Sequence, residues 1–359
     1  MHEIVVTAKQ GLAIGGPAEV GFDKITLPYI PGSTLRGALA SVWIRDHGIP
    51  IRGNPRREEF VELFERSVRF GPLFQEGTSV IPLSAMWCKY PRTEDCERWG
   101  IDATVDAEVH LCPSGHGVET GKGQVTGLRT QRMLRTKLDD QGRALDGHLF
   151  ARHELLRGLA YRGFLSGRHP WLTEPRTIWL GGRTSTNGMA KVRVTENEAP
   201  PTVPVSPRDD GALVIRVVSP ALIVDDAGRP TLDPTEEILR VLGLGQAAVE
   251  TTRAWIRPTR VGGWHAASGL PKPLEIGIEM GSAIVLHLKE QPAEHALRRL
   301  VTGGIGLRRV EGFGVVEVNP PPWRPAAPKP RPSAVPEPSL LAALRDNALL
   351  DEEVTVRWL

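Results

Sequence analysis

Three cysteines and a histidine lie close together in the first half of the chain: Cys88, Cys96, Cys112 and His116, the last two within CPSGHG. Thiolates plus an imidazole are the donors of a closed tetrahedral Zn2+ site, and C-x3-H in a Gly-containing turn is workable ligand spacing. His110 competes with His116 for the fourth position, and the long gap between Cys88 and Cys96 makes one half of the site irregular. Three or four soft ligands leave no open position for a substrate, so the metal expected here is structural.

A second set of residues is cationic. In PYIPGSTLRGALA (28–40) a Pro-Gly turn runs into a helix for which Ser33 or Thr34 is the expected cap. Backbone N–H groups at such a helix start, with Arg36 and Gly37 beside them, would form an anion pocket for a phosphate. In GGIGLRRVEGFG (303–314) glycines allow close approach of a sugar-phosphate backbone, Arg308 and Arg309 can pair with phosphate, and Phe313 offers a stacking face. No GK[ST] follows, and the run leads into a strand and not a helix, which excludes a P-loop and a dinucleotide fingerprint.

Arg129, Arg132, Arg135 and Lys137 follow the cysteine region at near-helical spacing. The stretch 129–168 is strongly basic within a nearly neutral chain, which is a polyanion footprint or else a solvated surface helix. Asp23, in GFDKITLPYIPG (21–32), is a carboxylate placed just before the anion pocket, where it could assist attack of a 2′-OH on a neighbouring phosphate. Nucleophile-elbow, HExxH and P-loop signatures are missing from the sequence, so whether the chain is an enzyme stays open.

The elements that must position these residues follow from composition and pattern. The 359 residues suggest two domains. Lys+Arg of 44 against Asp+Glu of 42, with 40% hydrophobic residues, excludes a disordered chain, a fibre and a coiled coil. No apolar run is long enough to span a membrane, no secretion signal is read at the start, and three cysteines cannot build a disulfide framework. A cytoplasmic protein is expected. With 38 Gly and 31 Pro, strands should be short and turn-punctuated.

Proline runs divide the chain into 1–195, a linker at 196–208, a second domain at 209–319, a Pro-rich tether at 320–338 and a tail helix within 339–359. The cysteine knuckle is an insertion at about 85–125. Both domains open with a strand-like run, EIVVTA (3–8) and ALVIRVV (212–218), and close with Gly-rich turns feeding an alternating strand. Aligning GMAKVRV with GFGVVEV places Gly188 on Gly312, which favours a tandem duplication. Helices are expected from Ser33 and over 292–301, giving an α+β fold.

GLAIGG, PYIPGSTLRGALA, GHLFARHELLRGLAYRGFL, LGGRTSTNGMAKVRV and GIGLRRVEGFGVVEV together resemble the CRISPR-associated RAMP superfamily, the RNA-binding subunits of type III effector complexes. VGGWHAASGLPKPLEIGIEMGSAIVL (261–286) looks most like the two-domain Csx-type subunit of type III-D systems. The resemblance covers about residues 1–319 and implies tandem ferredoxin-like (RRM-like) domains, with CRISPR guide RNA, target RNA and other effector subunits as partners. It implies that Ser33, Thr34, Arg36, Arg308, Arg309 and Phe313 lie on the RNA, with Arg183, Arg129, Arg132 and Arg135 as further contacts. Within the superfamily this chain reads as a cap subunit that holds the 5′ tag of the guide. The competing role is a backbone subunit that cuts target RNA with Asp23 and a Mg2+ ion. A guide-processing endonuclease, with His47 or His265 as its histidine, and a stand-alone zinc-containing RNA-binding protein are the remaining alternatives.

Overall fold

The computed structural model describes residues 1–15, 23–105, 111–182, 186–195, 208, 211–265 and 268–325, with Asp23 described through its backbone alone. The fold is mixed α/β with antiparallel sheets predominating.

The first half is built on β1 (His2–Ala8), α1 (Gly32–His47), β2 (Arg69–Phe70), β3 (Ala160–Ser166), β4 (Arg176–Trp179) and β5 (Met189–Thr195). Its strand order is β4-β5-β1-β3-β2, with the short strand Phe74–Gln75 also pairing β3. Alternation in β1 buries Ile4, Val6 and Ala8, as period-2 patterning requires of a sheet covered on one face. The covering element is α1, whose Leu35, Ala38, Leu39, Val42 and Trp43 recur at helical spacing and are all buried.

The expected caps of α1 need correction. The helix begins at Gly32 with Pro31 as its N-cap, and Ser33 and Thr34 lie inside the first turn without capping it. The extended backbone of Pro31 (φ −61°, ψ 146°) makes the entry, so no side-chain cap is required, and its carbonyl accepts from the Thr34 and Leu35 amides.

The second half repeats the scheme with β6 (Ala212–Val217), α2 (Thr235–Leu242), β7 (Val249–Trp255), β8 (Ala283–Leu288), α3 (Glu294–Gly303) and β9 (Val316–Val318). Its order is β7-β8-β6-β9. In both halves the opening strand pairs antiparallel with the closing strand, β1 with β5 and β6 with β9. Each half has its own apolar core, one running from Ile4 to Val192 and the other from Leu213 to Val318.

Two features project from or bridge this frame. The strands Thr130–Leu138 and Ala144–Leu155 pair into a long hairpin arm, which corrects the near-helical reading of Arg129–Lys137. Leu134, Leu138 and Leu149 are exposed on it, so its sequence lacks the clean alternation by which a half-buried strand announces itself. The cysteine insertion forms a separate three-stranded sheet from Ala85–Cys88, Gly100–Asp102 and Val118–Thr120.

That insertion joins the two halves. Asp102 is fully buried; it pairs with Arg216 of β6 at 3.2 Å and accepts the Trp323 amide at 2.8 Å and the Thr104 hydroxyl at 2.9 Å. Trp87 packs on Trp323 with ring centroids 5.7 Å apart, and Arg253 and Arg257 donate to the Ala103 and Lys122 carbonyls. The proline-rich segment, expected to be coreless from residue 320, is therefore docked through residue 325; the tail helix expected beyond it lies outside the described residues. A Cβ at Gly100 would lie 2.9 Å from both Trp323 and Pro325, so this close approach needs a glycine. No described helix is long and apolar enough to cross a membrane.

Candidate nucleic-acid interface and metal centre

The insertion gathers its cysteines as expected. Cys88 ends a strand, Cys96 sits on the short helix Glu94–Arg98 capped by Thr93, and Cys112 and His116 share a tight turn in which the His116 amide donates to Cys112 Sγ at 3.3 Å. His116 Nδ1 lies 3.6 Å from Cys88 Sγ and 3.5 Å from Cys96 Sγ. All four donor atoms lie within 4.8 Å of one another, and the three thiols are buried and unbridged by disulfides.

Hydrogen bonds with Ser114 and Thr93 pull the Cys96 thiol down to about 6, into the range where a thiolate ligand is readily supplied, whereas burial pushes Cys88 up. A Cys3His set of this compactness can hold a metal ion such as zinc, which takes such donors at roughly 2.0–2.3 Å. Among the described residues it is the sole gathering of three or more potential ligands; His110 falls outside them.

The hairpin arm separates the basic residues by face. Cross-strand register pairs Arg132 with His153 and Leu134 with Ala151, while Met133 faces Arg152 and Arg135 faces Phe150. Because side chains alternate along a strand, Arg132 and Arg135 stand on opposite faces. One face carries Met133, Arg135, Phe150 and Arg152, a cationic and aromatic combination suited to stacking and phosphate contact. Arg129 precedes the arm, exposed, with its amide held by Gln75. The backbone of Asp23 joins the same sheet, pairing in parallel opposite Ala151.

The two motifs farthest apart in sequence meet at a seam. The start of α1 packs on the turn Arg309–Glu311: a Cβ at Gly312 would lie 3.0 Å from the Gly32 Cα and would collide with the Phe70 carbonyl. Gly304, Gly312 and Gly314 all adopt positive φ, and side chains at each would strike neighbouring backbone. The glycines of this loop thus serve packing within the chain, where a close-approaching ligand was the expectation.

The seam also divides the expected cations. Arg36 Nε donates to the Phe64 carbonyl at 2.6 Å, and its guanidinium pairs with Glu65. Arg308, in the left-handed region (φ 54°), pairs with Glu275 at 2.5 Å and Glu311 at 3.0 Å and lies 4.6 Å over the Phe313 ring. One face of the Phe313 ring, which was expected to stack on a base, is therefore covered by Arg308. Burial raises the Glu311 carboxyl, but hydrogen bonds from Arg308 and Lys272 outweigh it and hold the group down at about 2.

Arg309 is half-exposed; its carbonyl accepts from the Gly312 amide at 3.0 Å, and its guanidinium makes no hydrogen bond or ion pair among the described residues. Close by is Arg69 of β2, which sequence reasoning passed over because RSVRFGP carries no motif; contact between β2 and the Arg309–Glu311 turn is visible only in the fold. Arg183 lies outside the described residues.

No family model matches the chain, and no curated protein matches it. Solved structures do. The chain is similar to a chain of the Type III-B Cmr-beta bound to cognate target RNA, with 12% identity, 88% of this chain and 96% of that chain covered, and a TM-score of 0.46. It is also similar to a chain of the Csm3-Csm4 subcomplex in the type III-A CRISPR-Cas interference complex (11% identity, 81% and 100% covered, TM-score 0.35). A Cas6 product complex gives 13% identity, 89% and 100% covered, and a TM-score of 0.32. These structural neighbours come from type III-B and type III-A CRISPR structures and from Cas6.

Proposed function

We propose that this chain is an RNA-binding RAMP subunit of a type III CRISPR effector complex, holding the guide RNA at its 5′ tag end and packing on neighbouring subunits. The observation that carries the reading is the seam: PGSTLRG and the Gly-rich loop, nearly a whole chain apart, fold against each other through Gly32 and Gly312. The flanking arm adds a cationic, aromatic face of the kind that grips single-stranded RNA.

The strand orders β5-β1-β3-β2 and β9-β6-β8-β7 correspond to each other element by element, which supports tandem ferredoxin-like domains over 1–195 and 209–319. In this reading Zn2+ on Cys88, Cys96, Cys112 and His116 would supply folding energy to the insertion and no chemistry toward RNA.

A second reading is favoured by one observation. Asp23 is registered opposite Ala151, on the sheet that also carries the arm's basic face, so the chain could be a backbone subunit that cuts target RNA at that residue.

The test is to purify the tagged full chain from its native host and sequence the RNA that accompanies it. RNAs with a common repeat-derived 5′ end are expected; RNA without that end, or none, would overturn the reading. Cleavage of target RNA by the same assembly, compared with Asp23→Ala, then decides between the two roles. Loss of a cut with guide binding unchanged would make this a slicing subunit.

A further inference from the structure

We propose that the cysteine insertion is a metal-dependent clasp: zinc held by Cys88, Cys96, Cys112 and His116 maintains the contacts by which the insertion grips the second half and the segment 319–325. This rests on metal binding at that set and is independent of RNA binding. Among the described residues the insertion's own buried cluster is Cys88, Cys96 and Cys112, with Trp99 packed against it. Three short strands around so small a core bury too little apolar surface to hold their own shape, and a metal on the thiols supplies that energy. The strands Ala85–Cys88 and Gly100–Asp102 then divide two tasks between their faces. Register sets Trp87 opposite Gly100 and Ala85 opposite Asp102, so these four share one face, while Cys88 turns to the other, toward the remaining ligands.

The face turned away from the cysteines is the one that grips. Trp87 packs on Trp323, Gly100 leaves room for Trp323 and Pro325, and the Asp102 carboxylate joins Arg216 of β6 to the Trp323 amide. Neighbouring backbone adds the Ala103 and Lys122 carbonyls, which accept from Arg253 and Arg257 at 3.3 and 2.9 Å, and the Leu83 amide, which donates to the Gly281 carbonyl at 2.8 Å. Segment 319–325 is tied to β6 at Asn319, whose amide donates to the Val214 carbonyl at 2.7 Å and whose side chain accepts the Val214 amide at 2.9 Å. Past that point Pro320, Pro321, Pro322 and Pro325 have no N–H to give a sheet, so the insertion supplies the hold. Without metal, the strand pair that presents Trp87 and Asp102 loosens, and the segment and insertion part from the second half. The two halves stay in contact at the glycine seam.

The experiment follows amide hydrogen exchange of the full-length chain by mass spectrometry, zinc-loaded and after zinc removal with EDTA, with metal content measured in both states. The exchangeable amides of 319–325 are those of Asn319, Trp323 and Arg324, and Trp323, bonded to Asp102, is the reporter. The expected result is exchange about tenfold faster or more in that segment and in 85–102 once zinc is removed, reversed by zinc chloride, with β1 and β8 as protected as before. D102A keeps every metal ligand and should free the same segment with zinc content unchanged; if its β1 and β8 amides lose protection, D102N takes its place with the same expectation. Equal exchange of the segment with zinc bound and removed would overturn the clasp while leaving the metal site intact. Loss of protection spreading through β1 and β8 on zinc removal would also overturn it, by making the metal a support of the whole chain. A segment that stays protected in the Asp102 variant would overturn the link through that carboxylate. A chain that takes up no zinc would overturn the metal site and the clasp together.

Discussion

The two halves of the molecule touch at two places that solve opposite problems. At the insertion, Asp102 is fully buried, and each of its oxygens is met by Arg216, Thr104 or the Trp323 amide. At the glycine seam, Arg308 is compensated in the same manner, whereas among the described residues Arg309 and Arg69 beside it have no carboxylate partner. A buried charge is tolerated where the chain supplies its counter-charge, and a pair of uncompensated cations is a standing cost that a ligand can remove. The comparison teaches that the number of arginines in a motif says little about binding. What matters is which of them the fold has already neutralised.

The largest way to break this contrast is at the metal. Chelation, or Cys96→Ser, should strip zinc from the purified chain and open the insertion to protease near residues 88–116, because a site of this donor set supplies folding energy directly. Metal analysis before and after chelation checks it, and a chain containing no metal in either state would remove the site. Next in size, Asp102→Ala leaves the half-buried Arg216 with only the Glu317 carboxylate, 3.8 Å away, and should cost about 3 kcal/mol in a denaturant melt. Replacing both partners, as in D102N with R216M, should recover part of that loss, since the uncompensated charge is gone.

Within the seam, Gly312→Ala forces a Cβ against the Phe70 carbonyl at positive φ and should lower stability by about 1–3 kcal/mol. Arg308→Gln should lower the melting temperature, whereas Arg309→Gln should leave it within a degree or so while altering the salt dependence of RNA binding. Equal melting losses in the two variants would erase the distinction between them.

The smallest effect is in acid. Glu311 titrates at about 2 in the folded chain against 4.5 ordinarily, so its stabilisation is complete above 4.5 and is lost as pH falls toward 2. Melting temperature measured across that window should fall more steeply for wild type than for E311Q.

Much of the fold was legible from residue order. The opening and closing strands of both halves, the helix at PGSTLRG and the one at PAEHALRRLV are local patterns, and they lie where alternation and helical spacing put them. The hairpin arm was misread because Arg132, Arg135 and Lys137 mimic a helical stripe, and no buried face imposes alternation on a strand that projects into solvent. The cap of α1 was misassigned because Ser and Thr at a helix start usually cap, yet here Pro31 already sets the entry angle.

The sequence by itself narrowed the donors of the candidate metal centre to Cys88, Cys96, Cys112 and either His116 or His110, because ligand chemistry is a property of residue type and the candidates lay within one short stretch. It also led to the expectation of two similar units, and the described residues bury two main apolar cores. Only the tertiary structure decided which arginines are engaged. Arg308 and Arg309 are adjacent and chemically identical, but the left-handed turn at Arg308 directs it to Glu275, 33 residues away, and leaves Arg309 beside Arg69. Charge compensation acts through space at a few ångströms, between residues as far apart as the 114 positions separating Asp102 from Arg216, and no local pattern encodes a contact of that range.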